Sequence, residues 1–173
     1  MMLAFALATG GASAAEPSAE GQFEQGLAAF ERGSLPEAAV LWADAAQRYE
    51  KQGQVGGRIS ALTHLAHAES GLGQYRQAAT TLGTALDLAQ AAGDQRRAAS
   101  IGAALGNVYI ALGPPETAES YLRGALAVAR EVPDPALVAV ALNDLGNLLA
   151  TQSKYAEAVA AYRESIALAS DPR

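Results

Sequence analysis

The chain repeats itself every 40 residues, and this constrains its fold more than any other feature. Ala38, Ala78, Ala118 and Ala158 stand 40 apart. Seven residues after each stand Ala45, Ala85, Ala125 and Ser165, and between them, in one register, Trp42, Leu82, Leu122 and Tyr162. Five residues before the anchor alanines lie Gly33, Gly73, Gly113 and Ser153; twelve before lie Gly26, Ala66, Gly106 and Gly146. No insertion or deletion is needed to keep these columns aligned. A fixed period of this length is the mark of a unit that buries its apolar face only by stacking on its neighbours.

Each column has a packing reason. The small columns at Gly26/Ala66/Gly106/Gly146 and Ala38/Ala78/Ala118/Ala158 let the two helices of a hairpin approach closely, and the bulky column fills the space one turn later. The Gly33/Gly73/Gly113 column ends the first helix, because glycine takes the left-handed conformation found at helix C-termini. Ser34-Leu35-Pro36-Glu37 has the form of a capping box with proline in the first turn. Pro114-Pro115-Glu116 opens the second helix of the third repeat, and Asp94 and Asp134, the latter followed by Pro135, suit N-caps between repeats. These signals predict helix A over about 19–32, 56–72, 95–112 and 135–152, and helix B over about 35–51, 75–91, 115–131 and 155–169. The expected fold is all-α: four helix-turn-helix repeats at about 19–54, 55–94, 95–134 and 135–169.

Composition agrees. Half of the 173 residues are hydrophobic, with alanine foremost among them and only 6% of the chain aromatic. Alanine is the best helix former and packs closely. Val and Ile are sparse and nothing alternates with period two, which speaks against a sheet. The net charge of −6, with no Lys/Arg block, argues against nucleic acid and against an anionic membrane surface. With no cysteine, disulfides, thiolate metal sites and cysteine nucleophiles are excluded.

Residues 1–15 read as a leader. Leu3-Ala4-Phe5-Ala6-Leu7-Ala8 is apolar, Ala12-Ser13-Ala14 is an A-x-A cleavage pattern, and Glu16-Pro17-Ser18 is polar. No Lys or Arg precedes the apolar stretch, as a secretory signal would have. The stretch is too short to span a membrane. A cleaved leader places the protein in a periplasm or outside the cell; without cleavage it is cytoplasmic.

The columns resemble the tetratricopeptide repeat (TPR). Leu105-Gly106-x-x-Tyr109…Ala118…Leu122…Ala125 carries the resemblance most fully. Leu142-x-x-Leu145-Gly146-x-x-Leu149…Ala158…Tyr162 follows closely, and Leu62-x-x-Leu65-Ala66 with Ala78, Leu82 and Ala85 extends it. Repeat 1 departs most, with Gln22 and Gln25 where apolar residues are usual, as terminal repeats often do. The ordinary period is 34. The longer one, with Leu-Gly-Asn at 105–107 and 145–147, is similar to the repeats of G-protein-regulator scaffolds and of bacterial TPR proteins carrying CHAT (caspase-like) domains.

The resemblance implies a right-handed superhelix whose concave side is lined by the A helices and receives an extended peptide or partner helix. With the small column as position 8, the family's groove positions include 5, 9 and 12. They fall here on Phe23, Thr63, Ala103 and Asn143; on Leu27, His67, Asn107 and Asn147; and on Phe30, Ser70, Ile110 and Ala150. Asn107, Asn143 and Asn147 form a candidate row of amides, each with donor and acceptor for a peptide backbone. Phe23, Leu27, Phe30 and Ile110 are candidates for apolar contact, with Thr63 and His67 between. The alternative is that the asparagines are surface groups bonded to neighbouring turns.

The second helix of repeat 4 presents Val159, Tyr162 and Ile166 where a further helix would pack. Either the chain belongs to a longer protein, or this end packs on another copy or partner. Other residues carry less. His64-x-x-His67 with Glu69 lacks a clear third metal ligand. Gly102–Gly106 lies inside a helix and so is no phosphate loop. No nucleophile motif is present. Tyr75, Tyr109, Tyr155 and Tyr162 fall in repeat-core columns and need no cofactor. The sequence therefore points to a non-enzymatic protein-binding scaffold. The alternative is the regulatory N-terminal arm of an enzyme, such as a CHAT-type peptidase, whose catalytic domain lies outside the chain.

Overall fold

A computed structural model describes residues 17–113 and 115–169. The leader at residues 1–15 lies outside them. Among the described residues the regular elements are eight helices: α1 (Ala19–Glu31), α2 (Leu35–Lys51), α3 (Val55–Gly71), α4 (Tyr75–Ala91), α5 (Gln95–Leu112), α6 (Pro115–Glu131), α7 (Pro135–Thr151) and α8 (Tyr155–Ala169). All four B helices, α2, α4, α6 and α8, fall on the predicted bounds, and the A helices differ by at most one residue. No described helix is long and apolar enough to cross a membrane.

The joints recur every 20 residues. Gly33, Gly53, Gly73 and Gly93 all have φ between 66° and 76°. At each one the next residue's N–H reaches five residues back, as in Ser34 to the Ala29 carbonyl and Asp94 to the Ala89 carbonyl, both at 2.9 Å. This is a Schellman closure, and the left-handed residue it needs is cheapest as glycine. The carbonyl of the same linker residue then accepts the first bond of the following helix, as Ala38 N–H to Ser34 O at 2.9 Å. One residue thus ends one helix and begins the next. Ser153 holds the same place with φ 61° although it is not glycine.

Three local expectations need correction. Gly113 is extended, with φ 162°, and not left-handed. The residue before a proline is steered to extended backbone, and Pro114 follows. Ser34 is the N-cap of α2, but its hydroxyl makes no cap bond. Glu37 instead meets Arg32 at 3.2 Å, so the capping box does not form. Asp94 has similar backbone angles, yet its carboxylate accepts from Arg97 N–H at 3.0 Å. Its oxygens lie one bond further out than a serine hydroxyl. Tyr75 and Tyr155 are exposed rather than core. Each begins a B helix; Tyr75 lines a cleft together with Ala111 and Leu112 at the end of α5, whereas Tyr155 has no following hairpin among the described residues.

Within each hairpin the small column lies under the bulky one. A β-carbon on Gly26 would stand 2.5 Å from Trp42 Nε1, and one on Gly146 would stand 2.7 Å from Tyr162 Cε1. Trp42 is fully buried, and its indole N–H is satisfied by the Phe23 carbonyl at 3.2 Å. Tyr162 is therefore half-buried within its own repeat, while Val159 and Ile166 on α8 stay exposed.

Each helix packs on the next along the chain, and A helices also touch across repeats, α1 with α3 and α5 with α7. The buried side chains form separate clusters at the joints between repeats. Leu82 and Ala85 meet Ile101 and Leu105 in one; Leu122 and Ala125 meet Leu142 and Leu149 in another. This is the nearest-neighbour organisation of a solenoid. Repeats 3 and 4 are further tied by charge. Arg123, paired with Glu119 inside α6 at 2.8 Å, also meets Glu157 on α8 at 3.3 Å; Lys154, just before α8, meets Glu119 at 2.8 Å; and Arg96 at the start of α5 pairs with Asp134, the N-cap of α7.

Candidate functional site: the A-helix groove

Among the A helices, α1 packs on α3 and α5 on α7, whereas α3 and α5 lack such close packing and leave a gap between their groove positions. A cleft of about 300 Å³ opens between α3, α4 and α5. Thr63, His67 and Asn107, three predicted groove residues, meet at it. Ala66, Leu82, Ala104 and Val108 make its apolar lining, and Ser70 and Tyr75 complete it. The volume is at the lower end of the range of about 300–1,000 Å³ usual for ligand pockets.

The polar groups of the cleft are already oriented. Thr63 and Ser70 each donate to a carbonyl one turn back in α3, Ile59 O and Ala66 O, at 2.8 Å. Their protons are committed, so toward the cleft they offer lone pairs. Asn107 donates through Nδ2 to Asp144 Oδ2 on α7 at 3.2 Å. Burial pushes the Asp144 carboxyl above the usual range, and the Asn107 bond partly offsets this.

The remaining asparagines sit apart from the cleft. Asn143 and Asn147 are exposed on one face of α7, a turn apart. The amide oxygen of Asn147 accepts the Tyr162 hydroxyl at 2.9 Å. Asn107 and Asn147 thus each bond to a neighbouring helix, and not to adjacent turns of their own.

Phe23, Leu27 and Phe30 are half-buried at the joint between repeats 1 and 2. There Phe23 meets His64 edge-on at 5.0 Å, Phe30 meets His67 at 5.4 Å and Trp42 at 5.6 Å, and Trp42 meets His64 at 5.1 Å. The two histidines are therefore part of an aromatic cluster. His64 Nδ1 lies 2.9 Å from the Ser60 carbonyl and must carry the proton there, since a carbonyl only accepts. Ile110 is about two-fifths exposed. No group of three or more His, Asp or Glu among the described residues could hold a metal.

Two tetratricopeptide-repeat family models match the chain, one over residues 4–53 and the other over 96–171. The chain belongs to the tetratricopeptide-repeat family. Its TPR architecture is shared with solved structures of low sequence identity. BtubC (BKLC) from P. vanneervenii is 18% identical with a TM-score of 0.78, over 90% of this chain and 67% of that one. The apo form of RapI is 16% identical with a TM-score of 0.80, over 87% and 55%. A Rap protein complexed with Competence and Sporulation Factor is 22% identical with a TM-score of 0.78, over 87% and 42%. This TPR chain thus spans between two-fifths and two-thirds of the length of these structures. No curated protein sequence matches it.

Proposed function

We propose that the protein is a non-catalytic scaffold that holds an extended peptide, or a short helix of a partner protein, against its A-helix face. The observation that carries this reading is the open cleft where Thr63, His67 and Asn107, from adjacent repeats, come together. Asn143 and Asn147 would continue the contact along α7 by pairing with peptide backbone, and Ile110 would add apolar contact. Phe23, Leu27 and Phe30 would present their half-buried edges at the other end of the groove. A fold-mate whose complex holds Competence and Sporulation Factor, and another in complex with the Phr* peptide, are consistent with a peptide in such a groove. We assign residues 1–15 the role of an export leader, which N-terminal sequencing of the mature protein checks.

A random-peptide phage library panned on the protein tests the reading. Selected peptides, followed by fluorescence anisotropy, are expected to bind the Asn107→Ala/Asn147→Ala variant at least tenfold more weakly. No enrichment, or unchanged affinity in the variant, removes it. Exposed Val159 and Ile166 favour a further packing element on α8, either a second copy or the next part of a longer chain such as a CHAT-type peptidase. Light scattering of the wild type and Ile166→Glu separates these from a free end.

A further inference from the structure

The cleft between repeats 2 and 3 has a counterpart 40 residues earlier, and that counterpart is full. At the joint between repeats 1 and 2, Phe23, Phe30, Trp42 and His64 pack their rings together at centroid distances of 5.0 to 5.6 Å. The residues at the same offsets in the next joint are Thr63, Ser70, Leu82 and Ala104, and all four line the cleft. Four rings have been replaced by a hydroxyethyl, a hydroxymethyl, an aliphatic side chain and a methyl group. The glycine linkers at 33, 53, 73 and 93 are alike, although α1, with 13 residues, is shorter than its counterpart α3, with 17. The space of about 300 Å³ lies where those rings stand one repeat earlier.

From this correspondence we infer that the cleft is a pocket for one aromatic side chain of the bound peptide, so its occupant supplies in trans the ring that the first joint supplies from its own chain. The inference rests on the groove reading above. Charge narrows the occupant: no Lys, Arg, Asp or Glu is among the residues lining the cleft, and apart from the His67 imidazole it offers nothing to pair with a charged guest, which favours an uncharged one. Hydrogen bonding narrows it further. The hydroxyls of Thr63 and Ser70 have spent their protons on Ile59 O and Ala66 O, and they present acceptors at the rim. A ring that carries a donor, indole or phenol, is satisfied there, while phenylalanine leaves those lone pairs without a partner. The indole of Trp42, which donates to the Phe23 carbonyl, is an internal example of the same arrangement.

The test uses the whole protein, labelled with ¹⁵N and titrated with the N-acetyl amides of Trp, Tyr, Phe, Leu and Lys. The Trp and Tyr amides are expected to shift the backbone signals of Ala66, Ala104 and Val108, the Phe amide less, and the Leu and Lys amides not at all at equal concentration. A second chain carries Thr63→Phe, Ser70→Phe, Leu82→Trp and Ala104→His, which transplants the filled joint. Its affinity for the Trp amide is expected to fall at least tenfold. Equal shifts from Leu or Lys amides, shifts confined to other repeats, or full affinity in the transplanted chain would overturn the inference, and the wild-type titration decides alone if the transplant does not fold. Phage-selected peptides that bind with no aromatic residue would reject the aromatic anchor and leave the groove reading standing. Ring amides that bind where no peptide does would remove the groove reading and leave the preference for a ring.

Discussion

Leu122 lies over the bare backbone of Gly106, with its Cγ 2.5 Å from the point a β-carbon on that glycine would occupy. Leu122 is fully buried, so it has nowhere to retreat. Gly106→Ala is therefore expected to destabilise the protein by about 1–2 kcal/mol, as overpacking outweighs the gain in helix propensity. In a Leu122→Ala background the leucine clash is gone, although the Ala118 carbonyl oxygen would still lie 3.3 Å from the new β-carbon, and the same change is expected to cost at least about 1 kcal/mol less. Urea unfolding of the four proteins in the cycle reads this difference, and equal effects in both backgrounds would mean that the contact does not govern the column.

Ser153 supplies a second stability prediction. It holds a left-handed conformation that glycine holds at the other closures of this kind. Ser153→Gly is expected to raise stability by about 0.5–1 kcal/mol, and Gly73→Ser to lower it by a similar amount. Thermal melts of both variants decide. A neutral Ser153→Gly would show that the left-handed serine carries no strain.

The charges tying repeats 3 and 4 predict an acid limb. Bonds from Lys154 and Arg123 hold the Glu119 carboxyl down at about 2. A depressed carboxyl stabilises the fold above its ordinary range, and that stability is lost as pH falls through the folded-state value. Wild type is thus expected to exceed Glu119→Gln by less than about 1 kcal/mol near neutrality, because the partners are half exposed. The margin should close between the ordinary carboxylate range and about pH 2, and should shrink with added salt.

Glu69 predicts the opposite sign. Its Oε2 is buried without a hydrogen-bond partner, and burial pushes its carboxyl up, against a lowering bond from Thr81. A raised carboxyl favours the folded state only once protonated. Glu69→Gln is expected to be more stable than wild type at neutral pH, and the difference should fade as pH drops through the folded-state value and wild type takes up its proton. Denaturant midpoints across this range check it.

The architecture was legible because the signals that set it are local and repeated: the columns and turn glycines located every helix to within a residue. The misses were residues whose behaviour depends on a neighbour's reach. Ser34 caps nothing because its side chain is too short for its backbone angles. Tyr75 and Tyr155 are exposed because they stand at the first residue of a B helix, and this column is left open even where a hairpin follows, as at Tyr75. The repeat offsets name candidate groove residues, but not that Asn147 is engaged by Tyr162 or that Phe23 and Phe30 are half spent on the aromatic cluster. The cleft is a difference between two joints, and only subtracting one repeat from the next at Thr63, Ser70, Leu82 and Ala104 would have revealed it.

The apolar interior is divided into patches at successive joints, each holding only the hairpins beside it. Pulled from its ends, such a molecule would yield in instalments, surrendering one hairpin while the others keep their shape.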